Sequence, residues 1–248
     1  MLTPERHQLI LTLLEEKHTI RLQELIDHTH ASESTIRRDL DTLEKKGKLR
    51  RIHGGASSLS TVKEEAPMSE KTEQFHEEKR IIASLASRFI RKKETIFLDA
   101  GSTTNLMIPH LDPSVIVVTN GPEHLPMLAE HGITTYLIGG FVKPGTRAVI
   151  GANAAENLRQ YRFDRCFVGV NGITEEDGLT TPDPEEAAIK KNVLHQSLNR
   201  YILADHSKFG TRTFTRFGSL EDAVLITDTS SPLVKTLQKN TEIEVIHP

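Results

Sequence analysis

The 248-residue chain has one cysteine, Cys166, so no disulfide can form within it and a cross-linked framework is excluded. Cys166 lies in the apolar run Cys166-Phe167-Val168-Gly169-Val170, the setting of a buried structural thiol. No window approaches the roughly 18 consecutive apolar residues that a bilayer span needs. The opening Met1-Leu2-Thr3-Pro4-Glu5-Arg6 lacks the apolar core of a secretory leader. A cytoplasmic location without membrane contact is therefore expected. A global basic excess is also missing, since the net charge is -3, so any surface for nucleic acid must be local. Between Ser34 and Gly55, seven basic residues (Arg37, Arg38, Lys45, Lys46, Lys48, Arg50, Arg51) face three acids, a local +4 that leaves about -7 for the remainder. With 37% hydrophobic and 26% charged residues, the chain has the composition of a folded protein.

What is present is organised around 32–40. Ser32 can cap a helix, and Ile36, Leu40 and Leu43 recur at i, i+4 and i+7 as a narrow apolar stripe. Ser34, Thr35, Arg37 and Arg38 occupy the opposite face, all hydrogen-bond donors, as a major-groove reader requires. Thr3 as cap, Pro4 at the first turn and Leu9, Ile10, Leu13 and Leu14 predict a helix over 4–17. A second helix over 22–28 turns Leu22, Leu25 and Ile26 inward, and 29–31 form a short turn. Three short helices with a tight turn describe a helix-turn-helix. After a stop at Gly47, Leu49 and Ile52 alternate with Lys48, Arg50 and Arg51 up to Gly54-Gly55, the pattern of a β-wing whose arginines reach phosphate or the minor groove. His28 and His30 have metal-like spacing but no third ligand, so they read as surface residues; no metal and no cofactor is expected.

Ser34-Thr35-Ile36-Arg37-Arg38-Asp39-Leu40, Leu43-Glu44, Gly47, Leu49, Arg51 and His53-Gly54-Gly55-Ala56 closely resemble the DeoR family of bacterial repressors, over 3–57. The resemblance implies a winged helix-turn-helix domain (1–57) on double-stranded operator DNA, with Ser34, Thr35, Arg37, Arg38, Arg50, Arg51 and His53 as the contacting residues.

Residues 58–76 are polar, contain Pro67 and many Glu and Lys, and read as a linker. A helix over 77–92 with Ile81, Ile82, Leu85, Phe89 and Ile90 on its buried side follows. Apolar runs at 95–98, 115–119, 135–138, 166–170, 201–204, 224–227 and 243–246 then alternate with helical patterns at 122–131, 153–161, 185–198 and 231–239. Runs without period-2 alternation, separated by helices, predict an open, mostly parallel α/β sheet over 77–248. Ligands in such sheets bind beyond the strand C-termini. There lie Asp99-Ala100-Gly101-Ser102-Thr103-Thr104, Thr119-Asn120-Gly121, Gly139-Gly140, Gly169-Val170-Asn171-Gly172 and Asp205-His206-Ser207-Lys208, with Lys143, Arg147 and a helix carrying Glu186 and Lys190 nearby. Hydroxyls and backbone N–H groups at a helix start favour phosphate, and the remaining groups suit a polyhydroxy compound.

These strand ends resemble the DeoR-family sensor domain, which is related to sugar-phosphate isomerases and deaminases. The resemblance implies that Gly101, Ser102, Thr103 and Thr104 hold phosphate with Lys208 as a second cation. It also implies that Asp99, Thr119, Asn120, Gly139, Gly140, Gly169, Asn171, Glu186 and Asp205 line the sugar, beside Lys143, Arg147 and Lys190. The chain departs from the enzymes: Asn171 stands where ribose-phosphate isomerases place an Asp, and Leu179 follows Asp177-Gly178 where deaminases place a His. Glu186 remains as a possible base, so an isomerase or deaminase fused to a DNA-binding module is the alternative, but binding without turnover is expected. The sequence at 1–8 and 31–35 looks most like the fructose-operon branch of the family, which implies a repressor released by fructose 1-phosphate. Paired half-sites require a homodimer or homotetramer.

Overall fold

A computed structural model describes residues 2–17, 19–46, 48–52, 54–58, 67–238 and 242–245. The stop at Gly47, the wing residue His53 and the end of the last strand at Ile246 lie outside them. The chain divides into two compact units, Met1–Thr61 and Val62–Pro248.

The N-terminal unit contains α1 (Thr3–Lys17), β1 (Thr19–Arg21), α2 (Leu22–Thr29), α3 (Glu33–Lys45), β2 (Leu49–Ile52) and β3 (Gly55–Ser58). Its core is the expected set: Ile10, Leu13 and Leu14 of α1, Leu25 of α2, and Ile36, Leu40 and Leu43 of α3, closed by Ile20, Leu49 and Ala56. The wing is a hairpin of β2 and β3, with β1 added antiparallel to β3. Two glycines make this possible. Gly54 turns at φ +81°, and a Cβ on Gly55 would lie 2.1 Å from the Ile20 carbonyl oxygen, so only glycine lets β1 approach.

The C-terminal unit opens with α4 (Met68–Glu73) and α5 (His76–Ser87). Then follow β4 (Thr95–Leu98), α6 (Ser102–Asn105), β5 (Ile116–Thr119), α7 (Leu125–Glu130), β6 (Thr134–Leu137), β7 (Phe141–Val142), β8 (Val149–Ile150), α8 (Ala152–Leu158) and β9 (Phe163–Gly169). The chain ends through β10 (Gly172–Thr174), β11 (Gly178–Thr181), α9 (Pro184–Gln196), β12 (Ser197–Ala204), β13 (Thr215–Gly218), β14 (Val224–Thr227), α10 (Pro232–Leu237) and β15 (Ile243–Val245). Seven strands form one all-parallel sheet in the order β15-β14-β12-β9-β4-β5-β6. Both faces are buried: Phe97, Val118, Cys166 and Ile202 point into one core with α8 and α9, and Ile96, Leu98, Val117 and Phe167 into another with α5. This is why the strands show no polar alternation. Among the described residues, no helix is long and apolar enough to cross a membrane.

Three expectations change. The stretch 58–76 is not featureless: its described part forms α4, which belongs to the C-terminal unit. The helix expected over 77–92 runs His76–Ser87, and Ile81 is exposed while Lys79, Ile82, Ala83 and Ala86 face inward. Finally, β7 with β8, and β10, β11 and β13, form small antiparallel sheets whose short strands carry no periodic signal.

Candidate functional site

In the N-terminal unit, α3 is fixed at its N-terminus and at its middle. Ser32 accepts the Thr35 N–H (3.3 Å) and contacts the Thr35 hydroxyl (2.8 Å). Asp39, in the middle of α3, is buried and receives Arg6 Nε (2.5 Å) and Arg6 Nη2 (3.2 Å), with His7 Nε2 at 3.0 Å. Burial opposes the charge of Asp39, but Arg6 and His7 outweigh it and hold the carboxyl below its usual range. This brace between α1 and α3 leaves Ser34, Arg37 and Arg38 exposed and Thr35 half-buried. Arg37 rests on Glu33 through Nε (2.9 Å) and Nη2 (2.6 Å). Such an exposed i,i+4 pair contributes only about 0.3–0.5 kcal/mol, so it opens readily for a base or phosphate. Arg51 is placed differently from a groove residue: it is half-buried, pairs with Asp41, and its backbone N–H donates to Glu44 Oε1 (2.7 Å), stitching β2 to α3. Arg50 sits on β2 opposite Ser57.

In the C-terminal unit the chain leaves β4 towards β5 and β6 on one side, while β9 leads to β12, β14 and β15 on the other. The β4/β9 boundary is thus a topological switch point, where a crevice opens beyond the strand ends. A cleft lies there, lined by Gly101, Ser102, Thr103, Thr104, Gly169, Asn171, Glu186, Lys190, Asp205 and Lys208 of the expected residues. Asp99 lies behind it, nearly fully buried: Oδ2 accepts the Gly169 N–H (3.0 Å) and pairs with Lys190, whose Nζ also donates to the Gly169 carbonyl (3.0 Å). Glu186 Oε1 receives Lys143 Nζ (2.9 Å) and the Thr146 hydroxyl (2.8 Å). Asp183 caps α9 through the N–H groups of Glu185 (2.7 Å) and Glu186 (3.2 Å). Burial raises its carboxyl, but Lys143 at 2.9 Å and these two donors together hold it below the carboxylate range. Asp205 takes the Ser207 N–H (3.0 Å) and has Lys208 Nζ at 3.5 Å.

Thr119 and Asn120 brace the cleft without lining it. Thr119 donates to the Leu98 carbonyl (2.7 Å), and Asn120 Oδ1 accepts the Ala100 N–H (2.7 Å). The Thr104 hydroxyl is spent on the Asp99 (2.6 Å) and Gly101 (2.9 Å) carbonyls, whereas Ser102 and Thr103 have no side-chain hydrogen-bond partner among the described residues. Gly139 and Gly140 are exposed away from the cleft, and Arg147, also exposed, pairs with Glu123 (2.7 Å). Sequence reasoning missed Met68, Lys71, Lys79 and Thr146, all of which line it. One signal was available for Lys79, a lysine three residues before Ile82 on an inward helical face.

A winged helix-turn-helix preceding an α/β unit with a charged cleft at its switch point defines the architecture of a transcriptional regulator. Residues 6–62 match the DeoR-like helix-turn-helix domain and 74–229 the DeoR C terminal sensor domain. The chain is 45% identical to the uncharacterized HTH-type transcriptional regulator FruR of Bacillus subtilis, over all of both chains. It is 36% identical to the transcriptional regulator GlpR of Haloferax volcanii, covering 92% of this chain and 91% of that one. With the lactose phosphotransferase system repressor of Staphylococcus epidermidis the identity is 34%, over 96% of each. A solved structure, the probable sor operon regulator from Shigella flexneri, is 13% identical at a TM-score of 0.43, covering 79% of this chain and 97% of that one. The chain belongs to the DeoR family of DNA-binding transcriptional regulators.

Proposed function

We propose that the chain represses a sugar-catabolic operon and is released from its operator by a phosphorylated sugar, with fructose 1-phosphate the first candidate. The observation that carries this reading is the cleft at the β4/β9 switch point. It is lined by the hydroxyls of Ser102 and Thr103, by Lys79 and Lys208, and by Glu186, Asn171 and Asp205. Hydroxyls and ammonium groups suit phosphate, and carboxylates with an amide suit sugar hydroxyls. A relative named as a repressor supports the sign of regulation, and the sequence at 1–8 and 31–35 supports the fructose branch. The effector acts by favouring one arrangement of a symmetric homodimer or homotetramer over another.

The test is a thermal-shift screen of sugar phosphates followed by operator-binding titrations. Ligand at a hundredfold over Kd stabilises the bound fold by about 2.7 kcal/mol, which raises the melting temperature. The compound that does so is expected to dissociate the protein–operator complex. Arg37→Ala and Arg38→Ala are each expected to weaken operator binding by ~1–3 kcal/mol, as loss of a base contact does. A screen in which no sugar phosphate changes either melting or DNA binding overturns the effector reading.

A further inference from the structure

Lys79 is a buried ammonium without a counter-ion. It is 4% exposed on the inner face of α5, and among the described residues no carboxylate lies within 4.0 Å of it. Lys190 and Lys208, its neighbours in the cleft, have Asp99 and Asp205. Lys79 has only carbonyl oxygens: its Nζ donates to those of Lys71 and Gln74 (2.7 Å). Burying a charge against neutral dipoles alone is costly, and titratable groups perturbed in this way cluster at functional sites. Burial holds this ammonium down to about 8; Asp205 favours its charge while Lys208 and Lys71 oppose it.

The two carbonyls are not arbitrary. They end α4, a six-residue helix with no buried side chain, too short to persist by itself. An ammonium at a helix C-terminus satisfies carbonyls that have no partner within the helix. The segment has two further fastenings: the Met68 N–H donates to the Gly145 carbonyl (2.9 Å), and the Phe75 ring meets His206 edge-on at 4.8 Å. Between them, Met68 and Lys71 form a wall of the cleft.

Resting on the reading of this cleft as the effector site, we propose that Lys79 is the positioning residue that couples cleft occupancy to α4. An anionic group of the effector accepts a hydrogen bond from the third N–H of Lys79 Nζ, and the ammonium so stabilised locks the last turn of α4 against the site. α4 lies in the chain directly after the segment that leaves the DNA-binding unit, so its order is a variable that effector binding sets and DNA binding can read.

Hydrogen exchange with mass spectrometry on the full chain, with fructose 1-phosphate as the probe, tests this. In the unmodified protein the probe is expected to slow exchange at 71–75 at least tenfold. In Lys79→Met that protection should disappear, and Lys79→Arg should restore part of it, which a merely space-filling role does not predict. Circular dichroism checks folding, and if Lys79→Met does not fold, the unmodified protein and Lys79→Arg decide. Binding of the probe, seen by calorimetry, without protection at 71–75 overturns the coupling and leaves the effector reading intact. Protection that persists in a folded Lys79→Met also overturns it. Absence of any heat of binding removes the choice of effector, and the proposal with it.

Discussion

His124 is buried next to Thr119, whose hydroxyl lies 2.9 Å from Nδ1. Burial holds its imidazole down to about 4, against the smaller opposite pull of a hydrogen bond at Gly101 and of Asp99 and Glu123. In the unfolded chain the ring takes its proton near 6.5, in the folded chain only near 4. Over that window the unfolded state binds more protons, so stability falls as pH falls. The loss saturates near pH 4 at about 3 kcal/mol for this group. Urea denaturation at a series of pH values should show this slope, and His124→Gln should flatten it. A slope unchanged by the substitution would assign the acid sensitivity elsewhere. Nothing in the sequence around His124 announces this role, because the burial that depresses the ring comes from tertiary packing.

At the scale of elements, the groove-facing helix depends on a brace that its own sequence does not contain. Asp39→Ala leaves the Arg6 guanidinium buried without its partner, which costs about 3–5 kcal/mol in comparable pairs. The expected result is loss of the N-terminal unit's unfolding transition, followed by circular dichroism, with the C-terminal unit's transition unchanged. α3 itself was legible: Ser32 capped it and Ile36, Leu40 and Leu43 were buried as their spacing required. β1 was not, because three residues carry no period. Strands β9 and β12 begin three and four residues before their apolar runs, since polar residues there find tertiary partners. Arg165 pairs with Glu94 (2.7 Å) and Asp164 accepts the Thr95 N–H (2.8 Å). The strand ends named most of the cleft because glycine, hydroxyl and carboxylate residues there are readable one by one. α4 escaped because its six residues bury no side chain and so carry no apolar period.

Across the whole molecule, the function proposed above assigns DNA reading and effector sensing to different residues on different units, so the two should separate by mutation. Ser102→Ala with Thr103→Ala removes two hydroxyls from the cleft, neither of which bonds elsewhere among the described residues. Operator affinity measured by fluorescence anisotropy is expected to stay within twofold of the unmodified protein, while sugar phosphate no longer lowers it. Parallel loss of operator affinity would mean that this loop maintains the fold rather than binding ligand.

The single cysteine has a practical consequence. Cys166 is fully buried, and burial pushes its thiol up to about 12, so at neutral pH the folded chain presents almost no thiolate to a maleimide. Ser69 is exposed on α4. Ser69→Cys therefore creates one labelling position without removal of the native cysteine, and a dye attached there reports on the cleft wall in real time.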